Sequence, residues 1–392
     1  MKKHLKRLSV LMTCSLLAAC ATNSDPSLES QDSSLTTTES SAQTSSTTSE
    51  TDQEVVLLEM NGELILNDFE GFSEHISPLN NVYDDSYYFA IISGRMNSIS
   101  YTAREYKLDL NSGGLTVLKE YPQNTVRASD FIEFKGVLYE AITELADPSL
   151  SFRIIADGQE IWSGYGSPEF YVINDNLLFH AQTLIEGQKT DVVCRINPDY
   201  SITTLVQAGQ DGLGFLIPTV SPTYNHSKLL MRSTQNGKDV YVLVDSDGYE
   251  IIDQANHVEY ESVLLEDEIF IAYPDPATVG VENSEGDTPI TEYKYEAFTL
   301  STKETRPVQA SFEEIGVFNC AAAVKQSMLL NNPERKGVLK ATLKNQELEV
   351  EEIGGIENLY YRIYPVDQQR ALLVGFEEGQ FLKPTFYLVN VK

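Results

Sequence analysis

From Glu54 to Lys392 the chain consists of short runs of β-branched and aromatic residues interrupted by polar turns, and those turns recur in two alternating series. The first joins an apolar end to an apolar strand at residues 83–89, 134–138, 173–179, 224–229, 265–269, 324–328 and 366–372, seven occurrences in all. The second lies between them at residues 110–115, 155–161, 196–202, 244–251, 300–305 and 343–348. Gly-Gly at Gly113 and Asp-Gly at Asp157 and Asp247 tolerate the positive φ that tight hairpins demand. No long stretch has helical periodicity, so the body is all-β. Two hairpins make four strands, and the pair repeats every roughly 40 to 55 residues, the size of a β-propeller blade. The pattern predicts a seven-bladed β-propeller of four-stranded antiparallel blades.

The ends of the body fit the same frame. The last unit reaches Phe386–Asn390 and stops where its second hairpin should turn, while the residues from Val55 onward are in phase with that hairpin. A strand at Glu63 to Asn67 is expected to complete the final blade and close the ring, which removes an exposed sheet edge. Val55 to Glu59 then either adds a fifth strand or lies outside. A pair of β-sandwich domains is the competing arrangement, but no linker-like segment interrupts residues 54–392. The body resembles the propellers of bacterial surface lipoproteins and, loosely, the TolB type. It has neither a WD dipeptide at the repeat phase nor a YWTD motif, so the resemblance is architectural and brings no site residues with it.

The N-terminus has a different character. Lys2, Lys3, Lys6 and Arg7 precede an apolar run from Leu8 to Leu17, too short to span a bilayer, followed by Leu17-Ala18-Ala19-Cys20. This order resembles the lipobox of bacterial lipoproteins. The resemblance implies a signal peptide over residues 1–19, diacylglycerol on the Cys20 thiol, and attachment at the extracytoplasmic face of a bacterial cell membrane. Two acyl chains hold a protein stably where one does not. Residues 20–53 carry the lipidated cysteine and a Ser/Thr-rich tether with almost no large apolar side chain, a composition that does not fold. A coil of about 32 residues has an r.m.s. reach of roughly 30 Å. The propeller domain occupies residues 54–392.

Charge narrows the partners. The chain carries 58 acidic against 28 basic residues, a net −30, and loss of residues 1–19 removes four basic residues and takes it to about −34. That excludes a nucleic-acid footprint and a flat, electrostatic seat on anionic lipid, both of which need clustered Lys and Arg. It admits a basic partner or weak cation binding. In the mature chain, Cys194 and Cys320 match no disulfide framework or metal site and read as buried thiols. His75, His180, His226 and His257 are isolated, no His-Glu-x-x-His or Cys-x-x-Cys occurs, and no cofactor is implied.

The candidate site is the long connection at residues 274–292, which carries Asp275, Glu282, Glu285, Asp287 and Glu292 and is followed by Tyr293. A loop of this length inside a compact body is often functional, and these carboxylates suggest a lid or contact surface with cation affinity. Asp245-Ser-Asp247-Gly248 does not fit a calcium loop, whose glycine is sixth and whose bidentate Glu is twelfth, and reads as a hairpin turn. The glycines from Gly209 to Gly214 precede Pro218 rather than a helix, so they read as a connection between blades. The expected function is a binding module for a protein, peptide or cell-surface polymer. The alternative is an extracytoplasmic propeller hydrolase or lyase, whose sign is carboxylates or histidines with perturbed pKa values converging on the channel.

Overall fold

The structure is a computed structural model. It describes residues 55–65, 73–77, 81–94, 100–147, 149, 151–219, 227–277, 293–310, 320–331, 337–354, 356, 360–376 and 383–391. Among them all regular structure is strand apart from a single-turn 3₁₀ segment at Gln210–Gly212, within the connection the glycines predicted.

The turns behave as their chemistry requires. Asp84 and Asp85 (φ +48° and +51°), Asn174 and Asp175 (+47° and +58°), and Lys135 with Gly136 (+52° and +80°) make two-residue hairpins with both central residues left-handed, the geometry that matches strand twist. Around Gly136 nothing lies within 4 Å of an added Cβ, so this glycine serves backbone conformation alone. Gly113 differs, because its φ of +71° is combined with a carbonyl, that of Glu59, 1.9 Å from where a Cβ would stand. Asp245 Oδ1 accepts the N–H groups of Asp247 (2.8 Å) and Gly248 (2.9 Å), closing the plain hairpin turn expected there.

Hairpins then assemble antiparallel sets in chain order. In the first set Ser73–Ile76 and Asn81–Tyr83 pair along successive parts of Ser86–Gly94, followed by Tyr101–Asp109 and Leu115–Glu120. The next sheet has seven strands, from Val126–Phe134 to Ile202–Gln207, because the 15-residue strand Gln159–Ile173 serves two sets. Up to Gly164 it pairs with Phe152–Ala156, and from Tyr165 onward with Asn176–Ile185. Ile217–Pro218, Leu229–Gln235, Lys238–Val244 and Tyr249–Ile252 form the fourth set. The fifth runs Glu261–Leu264, Glu268–Pro274, Tyr293–Thr299 and Glu304–Ala310. The sixth runs Cys320–Val324, Ser327–Asn331, Val338–Lys344 and Glu347–Ile353. A two-residue parallel contact, Gln309 with Glu347 and Ala310 with Leu348, joins their outermost strands.

The final sheet is Tyr360–Pro365, Arg370–Phe376, Thr385–Asn390 and Val55–Leu58, with Val55 opposite Val389 and Leu58 opposite Phe386. The strand expected at Glu63 to Asn67 is therefore misplaced: its described part, residues 63–65, is not strand, and Leu66 and Asn67 lie outside the described residues. The reason is local. Ile65 N–H donates to the Tyr106 hydroxyl (3.0 Å) and its carbonyl accepts from Arg104 Nη1 (2.9 Å), so side chains of the first set hold its backbone. Asn61 N–H likewise donates to the Gly113 carbonyl (2.7 Å).

Apolar clusters fill the spaces between successive sets. One joins the first three sets around Tyr88, Phe131, Phe170 and Phe179. Others join third to fourth, fourth to fifth, fifth to sixth and sixth to seventh. A last cluster packs the seventh set on the first through Tyr87, Phe89, Leu372 and Phe386, with Tyr87 stacked on Phe89 at 5.1 Å. Tyr87 and Tyr88 are thus core, as suits aromatic side chains on pleated, half-buried strands. Cys194 is a free, buried thiol.

Candidate functional site

Three hairpins of the first series, from the first, third and seventh sets, border a cavity of about 420 Å³. Val82, Val172 and Val366 give it apolar walls, and Asp84, Asp85, Asp175 and Asp367 stand at its rim. These aspartates are there because the turns need residues that accept positive φ or cap their own backbone, and the short side chain leaves the carboxylate at the turn. Arg370 is partly spent within the rim: Nη2 lies 2.6 Å from Asp85 Oδ1 and Nε 2.7 Å from Asp367 Oδ2. Burial opposes the Asp367 anion, but the N–H groups of Gln369 and Arg370 and the Arg370 guanidinium outweigh it and hold the carboxyl below its ordinary value. Asp175, whose side chain is 71 % exposed, pairs with Lys135 at 2.7 Å. Burial, followed by the Asp175 and Asp84 charges, raises the Tyr83 phenol. Two cations thus face four carboxylates, and the rim keeps a negative surplus over apolar walls.

At the other ends of the strands lies the foot of the long connection. Asp275 accepts the Ala277 N–H (3.0 Å) and pairs with Lys294 (3.0 Å), which together hold its carboxyl below the ordinary range. Tyr293 opens the returning strand opposite Pro274. Glu282, Glu285, Asp287 and Glu292 lie outside the described residues.

A third concentration of charge is internal. Glu105 and Glu140, from the first and second sets, are both buried. The Tyr121 hydroxyl lies within hydrogen-bond distance of both and has one proton to share between them, and Lys119 Nζ sits 2.6 and 2.7 Å from the two Glu140 oxygens. Glu105 Oε2 has no hydrogen-bond partner. Burial, then the Glu140 charge, pushes the Glu105 carboxyl well above the usual range, against the Tyr121 hydroxyl and Lys119. Deeper still, Asp130 accepts from the Asn81 amide, Phe131 N–H (2.9 Å) and Phe170 N–H (2.7 Å), tying together the first strands of three sets. Burial nonetheless pushes its carboxyl up to about 7.

The sequence singled out neither the rim nor these buried acids. The rim was available in principle, since Asp84, Asp85, Asp175 and Asp367 occupy the same phase of one hairpin series. For the buried acids the only signal was a charge at the centre of an apolar strand. Described histidines remain apart: His180 Nε2 is buried with no partner, and burial lowers its pKa against the Glu169 and Asp191 charges. Among the described residues no group of three or more His, Cys, Asp or Glu side chains could hold a metal ion.

No protein-family model matches the chain, and no curated protein is similar to it in sequence. Solved structures are similar in fold. The polysaccharide lyase Uly1 matches with a TM-score of 0.50 at 10 % identity, over 80 % of this chain and 89 % of that one. An oligogalacturonate lyase from Vibrio parahaemolyticus matches at 0.44 and 12 %, over 86 % and 98 %. The β-propeller domain of the Trilobed protease from Pyrococcus furiosus matches at 0.41 and 12 %, over 80 % of each chain. At such identities the likeness speaks to fold alone: the chain is an all-β protein of antiparallel sheets whose structural neighbours are β-propeller proteins.

Proposed function

We propose that this chain is a lipid-anchored binding module at the extracytoplasmic face of a bacterial membrane, and that its acidic cavity receives a basic group presented by a protein or peptide. In this reading the seven four-strand sets are seven blades, the cyclic order of the core clusters makes them a ring, and Val55–Leu58 closes it. Residues 1–19 are the signal, Cys20 carries the lipid, and residues 20–53 are the tether. The observation that carries the functional reading is the cavity: carboxylates from three separate sets converge over apolar walls, which suits the methylene stem and charged head of a Lys or Arg side chain. The carboxyls displaced upward, Glu105 and Asp130, are sealed between sets instead of facing the cavity, which favours binding over hydrolysis or elimination.

The test is crosslinking in native cells followed by affinity capture with wild-type protein and with Asp84→Asn/Asp85→Asn, alongside a Lys/Arg-containing peptide array. A reproducible partner lost in the double variant, with affinity falling as salt rises, is the expected result. Equal capture by both proteins refutes the cavity as the site. Metabolic labelling with a radioactive fatty acid, present in wild type and absent in Cys20→Ser, tests the anchor separately.

A further inference from the structure

The connection from Tyr249–Ile252 into Glu261–Leu264 carries two rings, His257 and Tyr260, and it is tightly turned. Tyr260 N–H donates to the His257 carbonyl (3.1 Å), and His257 takes a φ of +55°, a left-handed conformation that a residue with a side chain adopts at a cost. Strain of this kind is a reason to look for function. What the turn achieves is placement: the imidazole lies flat on Tyr273, ring centroids 3.8 Å apart and planes 12° from parallel. Tyr260 completes a triangle, 6.2 Å from His257 and 6.4 Å from Tyr273 and tilted to both. It is 36 % exposed.

The Tyr273 ring is held in place. The Tyr273 hydroxyl donates to Glu296 Oε1 (3.1 Å), and burial and that carboxylate push the phenol up to about 12, so it stays a neutral donor. Polar groups stand at the border: Arg232 Nη1 donates to the carbonyl of Glu259, beside Tyr260 (2.7 Å), and Lys294, cross-strand from Tyr273, pairs with Asp275. Rings with an electron-rich face next to hydrogen-bonding groups suit a ligand with an apolar C–H face and a hydroxyl edge. The two cations here, Arg232 and Lys294, stand among Glu259, Asp275 and Glu296, and the chain's net −30 repels polyanions. We infer that His257, Tyr260 and Tyr273 form a stacking platform for an uncharged pyranose unit of a polysaccharide.

This platform shares no residue with the acidic cavity and sits at the opposite strand ends, so the two proposals fail independently. The test uses the full chain, a glycan array of neutral oligosaccharides with oligogalacturonate as the charged control, and saturation-transfer NMR on the best ligand. Binding of a neutral glycan is expected. Tyr260→Ala should weaken it about tenfold or more, Tyr260→Phe should preserve it, and Asp84→Asn in the cavity should leave it unchanged. Tyr260→Leu keeps apolar volume without a ring and should also lose binding, with near-ultraviolet circular dichroism confirming that the fold is kept. The inference is overturned if no neutral glycan binds, if oligogalacturonate binds as well as the neutral sugars, or if binding survives in both the Ala and Leu variants.

Discussion

Asp130 offers a measurement that isolates one buried charge. Its carboxyl is enclosed by three sets, accepts from Asn81, Phe131 and Phe170, and titrates near 7 where an ordinary Asp titrates at 3.8. The folded state therefore holds a proton that the unfolded chain has released, so stability falls as pH rises from about 4 to about 7. A displacement of about three pH units at about 1.4 kcal/mol each amounts to about 4 kcal/mol, an upper figure for so enclosed a group. Asp130→Asn keeps the shape and one acceptor oxygen but does not ionise. The variant loses a constant amount of about 1–3 kcal/mol for the N–H group left facing its amide. The slope is the discriminating quantity: between pH 4.5 and pH 8 wild-type stability should drop more steeply than the variant's, by up to about 3 kcal/mol. Urea unfolding followed by the fluorescence of Trp162, the one tryptophan, which packs on Phe179, measures both proteins across that range. Curves parallel to within about 1 kcal/mol would refute the argument that burial governs this carboxyl.

Other outcomes follow from single contacts. Gly113→Ala should cost at least about 2 kcal/mol in thermal or urea unfolding, since strain at positive φ adds to a Cβ that would meet the Glu59 carbonyl at 1.9 Å. Gly136→Ala, with the same conformational strain and open space, should cost less, about 1 kcal/mol. Arg370→Gln should destabilise by about 1–2 kcal/mol while strengthening binding of basic peptides, because Asp85 and Asp367 lose their shared cation; weaker peptide binding in a folded variant would count against the cavity. The Cys194 thiol, pushed up to about 11 by burial against the Thr204 hydroxyl, should resist alkylation at pH 8 until the protein unfolds, as read by peptide mass.

Turn chemistry is local, and for that reason most of the architecture could be read from one dimension. Asp84-Asp85, Lys135-Gly136 and Asp157-Gly158 determine their own backbone, and each hairpin aligns two strands. Register at the chain's start is another matter. Val55–Leu58 and Glu63–Ile65 both look like strand, and the choice depends on Tyr106 and Arg104, about 40 residues away, which take the backbone groups of Ile65. The site divides along the same line. Acidic turn residues are visible in sequence, but their convergence at one mouth depends on how the sets are arranged around it. Glu105 and Asp130 are indistinguishable in sequence from strand carboxylates that face water, because alternation says that a side chain points to one face and says nothing of what covers it.

The pairing of Val55–Leu58 with Thr385–Asn390 also sets a timetable. Ribosomes make Val55–Leu58 long before Thr385–Asn390, so the sheet stays incomplete until that distant partner has been made. Joining segments so distant in sequence is the slow kind of step in folding, since chain entropy is lost before the contact is formed. A chain lacking Thr385–Asn390 would carry two open edges, Val55–Leu58 and Arg370–Phe376, in place of the pairing that covers them. Incomplete copies would thus be marked by unpaired backbone, a feature that proteases and chaperones can recognise without reference to sequence.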